Sequence, residues 1–179
     1  MRRTVPAIAL TFLACACAGA GEPHHHPSAP QAVSRELRIV HRDTALLKSA
    51  TARFRDLDSA VAAGYLRRVP RCLANGSQGT MGYHHPNRSL LDDRVELERP
   101  EMLLYTRDAS GQYQLNGVEY IVPYSALPRD ARPPRVMGQE LKRSDGLQLW
   151  YLHVWIWTPN PAGLFADWNP AISCTPSQG

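Results

Sequence analysis

The run from Leu147 to Thr158 constrains the fold more than any other part of the chain. It contains no Asp, Glu, Lys or Arg, and Pro159 ends it. Because side chains of a strand alternate between its two faces, one face of this run is purely apolar and the other carries His153 among aromatic rings. We therefore predict a sheet strand whose apolar face meets a helix. The apolar face comprises Trp150, Leu152, Val154 and Ile156, and the other face comprises Leu149, Tyr151, His153, Trp155 and Trp157.

Helices are predicted ahead of the sheet. Between Ser34 and Tyr65, apolar residues recur at steps of three, four or seven, which is the pattern of one helix face. Ser34 is suited to cap the start of the first helix, and Asp58-Ser59 to cap a second, short one. Residues 67–87 are predicted to be a loop, since proline and glycine are frequent there.

Further strands are predicted downstream. They cover Glu101–Thr106, Gln112–Leu115 and Val118–Val122, with turns at Asp108–Gly111 and Asn116-Gly117. Helices followed by an antiparallel meander indicate the α+β class. We expect N-terminal helices packed on one face of a small antiparallel sheet of three to five strands, with long irregular loops.

The N-terminus has the layout of a signal peptide. Arg2 and Arg3 precede an uncharged, mostly apolar run over residues 5–18, and Ala18-Gly19-Ala20 suits cleavage before Gly21. The apolar run is short for a membrane span. The sequence thus predicts an exported protein located in the periplasm, on the cell surface as a lipoprotein, or outside the cell.

Two cysteines within this segment leave a second processing route open. Cys15 and Cys17 each follow a small residue, as lipoprotein processing requires, so either is a candidate for lipidation. We divide the chain into a signal peptide at 1–20, a disordered linker at 21–33 and one domain at 34–179. A lipid on the N-terminus is the only membrane contact that we predict.

The mature domain keeps an even pair of cysteines. In an oxidising compartment Cys72 and Cys174 are expected to form a disulfide. A two-cysteine metal site or a reactive thiol is the alternative, without a CxxC or Cys-His spacing to support it.

Charge argues against nucleic acid as a partner. The formal net charge is +4, and Arg2 and Arg3 contribute to it within the targeting segment. The remaining excess of positive charge is too small to indicate nucleic-acid binding.

The residues that can carry chemistry fall in three places. His84 and His85 lie on a glycine-rich stretch, His153 lies on the last strand, and Glu119 points away from the apolar face of its own strand. Neighbouring residues of an extended chain point apart, so only one of the two adjacent histidines is expected to face a shared site. If these groups converge, His84, Glu119 and His153 form a ligand set for copper or zinc, with His85 and Asp92 as weaker candidates.

Aromatic residues surround these candidates. Together with the histidines they predict a pocket for a metal ion or a small ligand. The pocket aromatics are expected to be Tyr83, Tyr120, Tyr151, Trp155 and Trp157.

Six distinctive sequence blocks lie between Met81 and Pro170. They are Met81–His85, Pro100–Tyr105, Gly117–Pro123, Leu152–Trp157, Asn160–Phe165 and Trp168–Pro170. Together they resemble a family of uncharacterised secreted or lipid-anchored bacterial proteins. The resemblance covers roughly residues 50–174, supports export and implies no particular reaction. It also implies a His followed by a Tyr after Met-Gly, whereas this chain has His84-His85, which favours His84 as the ligand.

Three functions are compatible with these residues. The first is an exported protein that binds a metal ion or small ligand in a His/Glu pocket. The second is an enzyme, a hydrolase or a metal-assisted oxidoreductase, that uses the same pocket, although no GxSxG or HExxH motif is present. The third is a non-catalytic module that stacks a carbohydrate or an aromatic ligand on its tyrosines and tryptophans.

Overall fold

The computed structural model describes residues 29–69 and 71–175, and side chains from residue 31 onwards. The predicted signal peptide, Cys15, Cys17 and the three linker histidines lie outside the described residues. Within those residues, no helix combines the length and the apolar character that crossing a membrane would require.

Two helices precede the sheet. Helix α1 spans Ala29–Thr51, a 3-10 turn covers Ala52–Arg55, and α2 spans Leu57–Ala62. Helix α1 therefore begins before Ser34, the predicted start. The predicted cap at Asp58-Ser59 is wrong by two residues, because the Asp56 carboxylate accepts hydrogen bonds from the backbone amides of Asp58 and Ser59.

Six strands form one strongly curled antiparallel sheet, in the order β1-β2-β3-β4-β8-β7, and two short strands form a separate hairpin. The α+β class and the antiparallel sheet are confirmed, with six strands rather than three to five. The main strands are β1 (Cys72–Asn75), β2 (Gly79–Pro86), β3 (Met102–Arg107), β4 (Tyr113–Pro123), β7 (Lys142–Ser144) and β8 (Leu149–Val154), and the hairpin is β5 (Arg135–Val136) with β6 (Gln139–Glu140).

The loop predicted over residues 67–87 is wrong, because β1 and β2 occupy much of it. The glycines that suggested a loop instead permit close backbone approaches. A Cβ atom on Gly79 would lie 2.5 Å from the carbonyl oxygen of Asn169, and one on Gly82 would lie 2.5 Å from that of Tyr105. Both glycines also have positive φ angles, which other residues rarely adopt.

The predicted turn at Asn116-Gly117 is likewise wrong, since β4 runs through it. A Cβ atom on Gly117 would lie 2.6 Å from the carbonyl oxygen of Val154 on β8. The glycine is therefore used for close packing between strands and not for a reversal of the chain.

The last strand is shorter than predicted and ends at Val154. Beyond it, the backbone amide of Trp155 donates to Leu164 and that of Trp157 donates to Asn116. The chain thus leaves the sheet, and the alternation of faces stops before Trp157.

The core lies on the sheet face that carries Tyr105, Val118 and Tyr120. The Tyr105 hydroxyl donates to the carbonyl oxygen of Phe54 in the 3-10 turn, and the Trp157 indole donates to the hydroxyl of Thr51 in α1. The buried apolar cluster also includes Leu47, Leu103, Leu115, Val122, Leu152, Val154 and Ile156.

The predicted disulfide is confirmed. Cys72 at the start of β1 is bonded to Cys174, with the Cα atoms 5.6 Å apart. The bridge ties the C-terminal segment to an edge strand of the sheet, and it indicates an oxidising compartment.

Candidate metal centre

Strand pairing brings the first two candidate ligands together. Glu119 on β4 lies directly opposite His153 on β8. Residues paired in this way project from the same face of a sheet at short Cβ separation. The carboxylate and the imidazole therefore face each other on the side of the sheet opposite Val118 and Tyr120.

His84 reaches the same site from β2, two strands from β4. It is paired with Leu104, which is paired in turn with Gly117, two residues before Glu119. All of these residues share a face by the alternation of side chains. The sheet is strongly curled, and the His84 imidazole lies within reach of the Glu119 carboxylate although a strand separates β2 from β4.

The three side chains converge on one small volume. Nε2 of His84 lies 3.7 Å from Oε2 of Glu119, and Nε2 of His153 lies 3.7 Å from Oε1 of the same carboxylate. One ligand atom from each residue falls within 4.8 Å of the other two. The carboxylate thus lies between two imidazole nitrogens, beyond hydrogen-bond length from either.

The centre is nearly closed to solvent. The side chains of His153, Glu119 and His84 are 2 %, 9 % and 17 % exposed, respectively. Among the residues that the structure describes, His153 has no hydrogen-bond partner at either ring nitrogen. Buried polar atoms in proteins are nearly always satisfied, so two unpartnered nitrogens on one buried ring require an explanation.

Groups on the far side of each ring direct the Nε2 atoms towards Glu119. Nδ1 of His84 lies 3.2 Å from the carbonyl oxygen of Gly82, which can only accept, so Nδ1 carries the proton in this contact. Nδ1 of His153 faces Oδ1 of Asp167 at 3.7 Å. A backbone carbonyl or a carboxylate behind the ring is the usual outer partner of a metal-binding histidine.

Asp167 belongs to a small polar network. Its Oδ1 is 2.5 Å from Nζ of Lys142, and its Oδ2 accepts a hydrogen bond of 3.3 Å from the Tyr151 hydroxyl. His153 and Lys142 hold the pKa of Asp167 at about 2, against the effect of partial burial. Burial and the neighbouring Asp167 raise the pKa of Tyr151 to about 12, so this hydroxyl remains a donor.

The charge state of His84 suits a ligand. Burial lowers its pKa, and this effect exceeds the opposing attraction of Glu119. A neutral imidazole keeps a lone pair on the nitrogen that faces the centre. His84 is thus prepared to donate that lone pair near neutral pH.

Two of the predicted pocket aromatics flank His153. The Tyr151 ring lies edge-on with a centroid distance of 5.6 Å, and the Trp155 ring is parallel to the imidazole at 6.1 Å. Trp155 is only 2 % exposed, and its indole donates to the carbonyl oxygen of Ala166. These rings enclose His153 and shield it from water.

The other three predicted aromatics lie elsewhere. The Tyr120 hydroxyl donates to Leu97 on the core side, and the Trp157 indole donates to Thr51 of α1. Tyr83 packs edge-on against Tyr113, with ring centroids 5.8 Å apart. All three are separated from His153 by the sheet or by the end of β8.

The weaker ligand candidates do not join the centre. His85 points to the opposite face, where Nδ1 lies 2.8 Å from the carbonyl oxygen of Leu66 and the ring packs between Tyr105 and Tyr113. Asp92 accepts a hydrogen bond from the backbone amide of Arg94 at an exposed turn. Of the two adjacent histidines, His84 lies in the group with Glu119 and His153, and His85 lies outside it.

The sequence did not predict two groups that lie near the centre, Asp167 and Lys142. Asp167 lies in the segment that follows β8, and Lys142 contacts this segment by donating to the carbonyl oxygen of Phe165. One signal for Asp167 was available, because it is the only acidic residue after Asp145. Asp167 was nevertheless missed, because an irregular segment has no regular alternation of side chains from which their direction can be predicted.

Comparison with known proteins found no matching protein family, no similar characterised protein and no similar solved structure.

Proposed function

We propose that this protein acts after export and that its folded domain binds a zinc or copper ion through His84, Glu119 and His153. The observation that carries the proposal is the convergence of three ligand atoms within 4.8 Å on a buried sheet face. Two imidazoles and one carboxylate form a ligand set that these two ions favour.

The distances support a metal ion better than a hydrogen-bonded triad. Two ligands of one tetrahedral zinc are about 3.3 Å apart, because each lies about 2.0–2.1 Å from the ion. Each separation of 3.7 Å between an imidazole nitrogen and Glu119 exceeds that value by a few tenths of an ångström. An ion would also give Nε2 of His153 the partner that it lacks.

Export is supported by the disulfide and by the signal-like N-terminal sequence. We further infer that the N-terminal helices cover the core face of the sheet. The hydrogen bonds of Tyr105 to Phe54 and of Trp157 to Thr51 support this packing. The centre would then be covered by the segment that contains Ala166 and Asp167.

The test is a metal analysis of the full chain, produced by export and purified without a polyhistidine tag. His24, His25 and His26 are replaced by alanine, because three linker histidines would bind metal themselves. We expect one zinc or copper ion per chain and a melting temperature that rises with added metal. A chain that stays metal-free and melts at the same temperature with either ion would refute the proposal.

Single substitutions then locate the ion. His84→Ala and Glu119→Gln should each abolish the metal-dependent rise in melting temperature. His41→Ala is the matched control, since His41 is exposed on α1. Loss of binding in the control would place the ion elsewhere.

A second candidate function is catalysis at the same centre. It is favoured by the number of ligands, since catalytic zinc sites have three protein ligands and an open position, whereas structural sites have four. Bound zinc would supply a nucleophilic water at neutral pH. Ester and phosphoester panels with the zinc form, and oxidation of phenols with the copper form, test this candidate. Turnover that survives in His153→Ala would exclude the centre as its source.

A further inference from the structure

A cavity of about 440 Å³ opens on the molecule away from the metal centre. Three segments form it: the junction of the 3-10 turn with α2, the chain after α2, and the end of the β3–β4 hairpin. Its charged lining consists of four arginines, Arg55, Arg67, Arg68 and Arg107, and two aspartates, Asp56 and Asp58. The volume lies in the range of small-molecule sites.

Positive charge in the cavity is only partly neutralised. Arg67 is paired with Asp58 at 2.6 Å. Asp56 uses both carboxylate oxygens to cap α2. Within residues 31–69 and 71–175, no carboxylate lies within 4.0 Å of the guanidinium groups of Arg55, Arg68 or Arg107.

The acidic neighbour of Arg107 is also occupied. Asp108 accepts hydrogen bonds from Ser110, Gln112 and Gln114 within the hairpin turn. These bonds hold the pKa of Asp108 low, and they orient its carboxylate within the turn.

Aromatic rings hold two of these guanidinium groups in place. Arg107 lies 4.5 Å from the centroid of Tyr113 and donates to its hydroxyl at 2.7 Å. Arg55 lies 5.6 Å from the centroid of Trp157. A guanidinium stacked on a ring loses less conformational freedom when it binds a ligand.

We propose that this cavity binds a small organic molecule that carries a phosphate or sulfate group. Guanidinium forks match the oxygens of such groups in a bidentate manner. The half-buried ring of Tyr113 offers an apolar wall for the rest of the molecule. This proposal is independent of the metal centre.

The test is calorimetric titration at low ionic strength with glucose 6-phosphate, glucose 6-sulfate, inorganic phosphate and glucose. The titrations use the His84→Ala variant as well as the wild type, so that phosphate bound to a metal is excluded. We expect a dissociation constant below about 1 mM for the sugar phosphate and no binding of glucose. Tighter binding of the sulfate or of free phosphate would identify which source of the oxyanion the cavity prefers.

Variants separate a built site from general attraction to positive charge. Arg107→Gln and Arg68→Gln should each weaken binding about ten-fold, and Arg107→Lys should weaken it although the charge is kept. Arg143→Gln is the control, since Arg143 is exposed, lies outside the cavity and stacks on Trp150 at 5.3 Å. Circular dichroism melting confirms that each variant folds. The proposal is overturned if glucose 6-phosphate binds no better than glucose, or if Arg143→Gln weakens binding as much as Arg107→Gln does.

Discussion

Asp167 and Glu119 face opposite edges of the His153 ring. Its Oδ1 is 3.7 Å from Nδ1, while Nε2 is 3.7 Å from the Glu119 carboxylate. A histidine held between an outer carboxylate and a metal position has a fixed ring orientation and a more basic Nε2. We therefore expect Asp167 to act as a positioning residue of the proposed centre.

We predict that Asp167→Asn weakens metal binding by about 10–100-fold, because the outer carboxylate no longer orients the imidazole. Competition with a chromophoric chelator measures the change, and the spectrum of the cobalt-substituted protein reports the ligand geometry. Asp145→Asn is the control, since Asp145 is exposed and pairs with Arg143. Equal affinity of Asp167→Asn and wild type would remove Asp167 from the centre without refuting the metal proposal.

Gly117 determines how closely β4 and β8 approach beside the centre. A Cβ atom there would lie 2.6 Å from the carbonyl oxygen of Val154 and 3.1 Å from the Trp155 ring. We predict that Gly117→Ala lowers the free energy of unfolding by about 1–3 kcal/mol, the usual cost of overpacking. Urea denaturation measures this change.

Gly146→Ala is the matched control for that experiment, since nothing lies within 4 Å of its Cβ position. It should change stability by less than about 0.5 kcal/mol. Equal stability of the two variants would show that β4 and β8 can separate without cost.

The sequence was sufficient to predict the features that follow from the alternation of side chains along a strand and from the pairing of cysteines. Apolar periodicity indicates the strand over Met102–Arg107 and the core face of β4. An even number of cysteines in the mature domain indicates the disulfide. The edge strand β1 and its neighbour β2 were missed. Glycines such as Gly82 have the same signature in a turn as in a close strand contact, and only the neighbouring strand distinguishes the two cases.

The residues of the candidate site also divide into those that the sequence predicts and those that it does not. Glu119 and His153 were predictable because each lies on a predicted strand with a definite face. His84 was a candidate only as one of two adjacent histidines in a predicted loop, and the structure brings all three residues together. Asp167 was not predictable, because it lies beyond β8, where hydrogen bonds such as that of Trp155 to Ala166 set the path of the chain. Trp157 was misplaced for the related reason that β8 ends at Val154.

The disulfide gives a prediction about stability. Cys72 and Cys174 are 102 residues apart, so the bridge closes a long loop in the unfolded chain. We predict that the double substitution Cys72→Ser and Cys174→Ser lowers the free energy of unfolding by about 2–5 kcal/mol. Denaturation without reductant measures the loss, and the wild type in reductant should match the variant. A variant as stable as the oxidised wild type would show that the bridge is dispensable.

Glu101 gives the clearest prediction about pH. It is only 2 % exposed, and its Oε2 accepts a hydrogen bond from the backbone amide of Ile121. Burial raises its pKa from 4.5 to about 8. The folded state therefore keeps the proton over a range in which the unfolded state has lost it.

The direction of the effect follows from this difference. The contribution of Glu101 to stability is fully present below pH 4.5 and is lost as the pH rises towards about 8. Glutamine resembles the protonated acid and can still accept from Ile121. Glu101→Gln should thus match the wild type near pH 4.5 and exceed its free energy of unfolding at pH 7 by on the order of 3 kcal/mol. Urea denaturation between pH 4.5 and 8.5 measures both curves, with the exposed Glu98→Gln as control. Parallel curves for wild type and Glu101→Gln would mean that Glu101 is ionised in the folded protein.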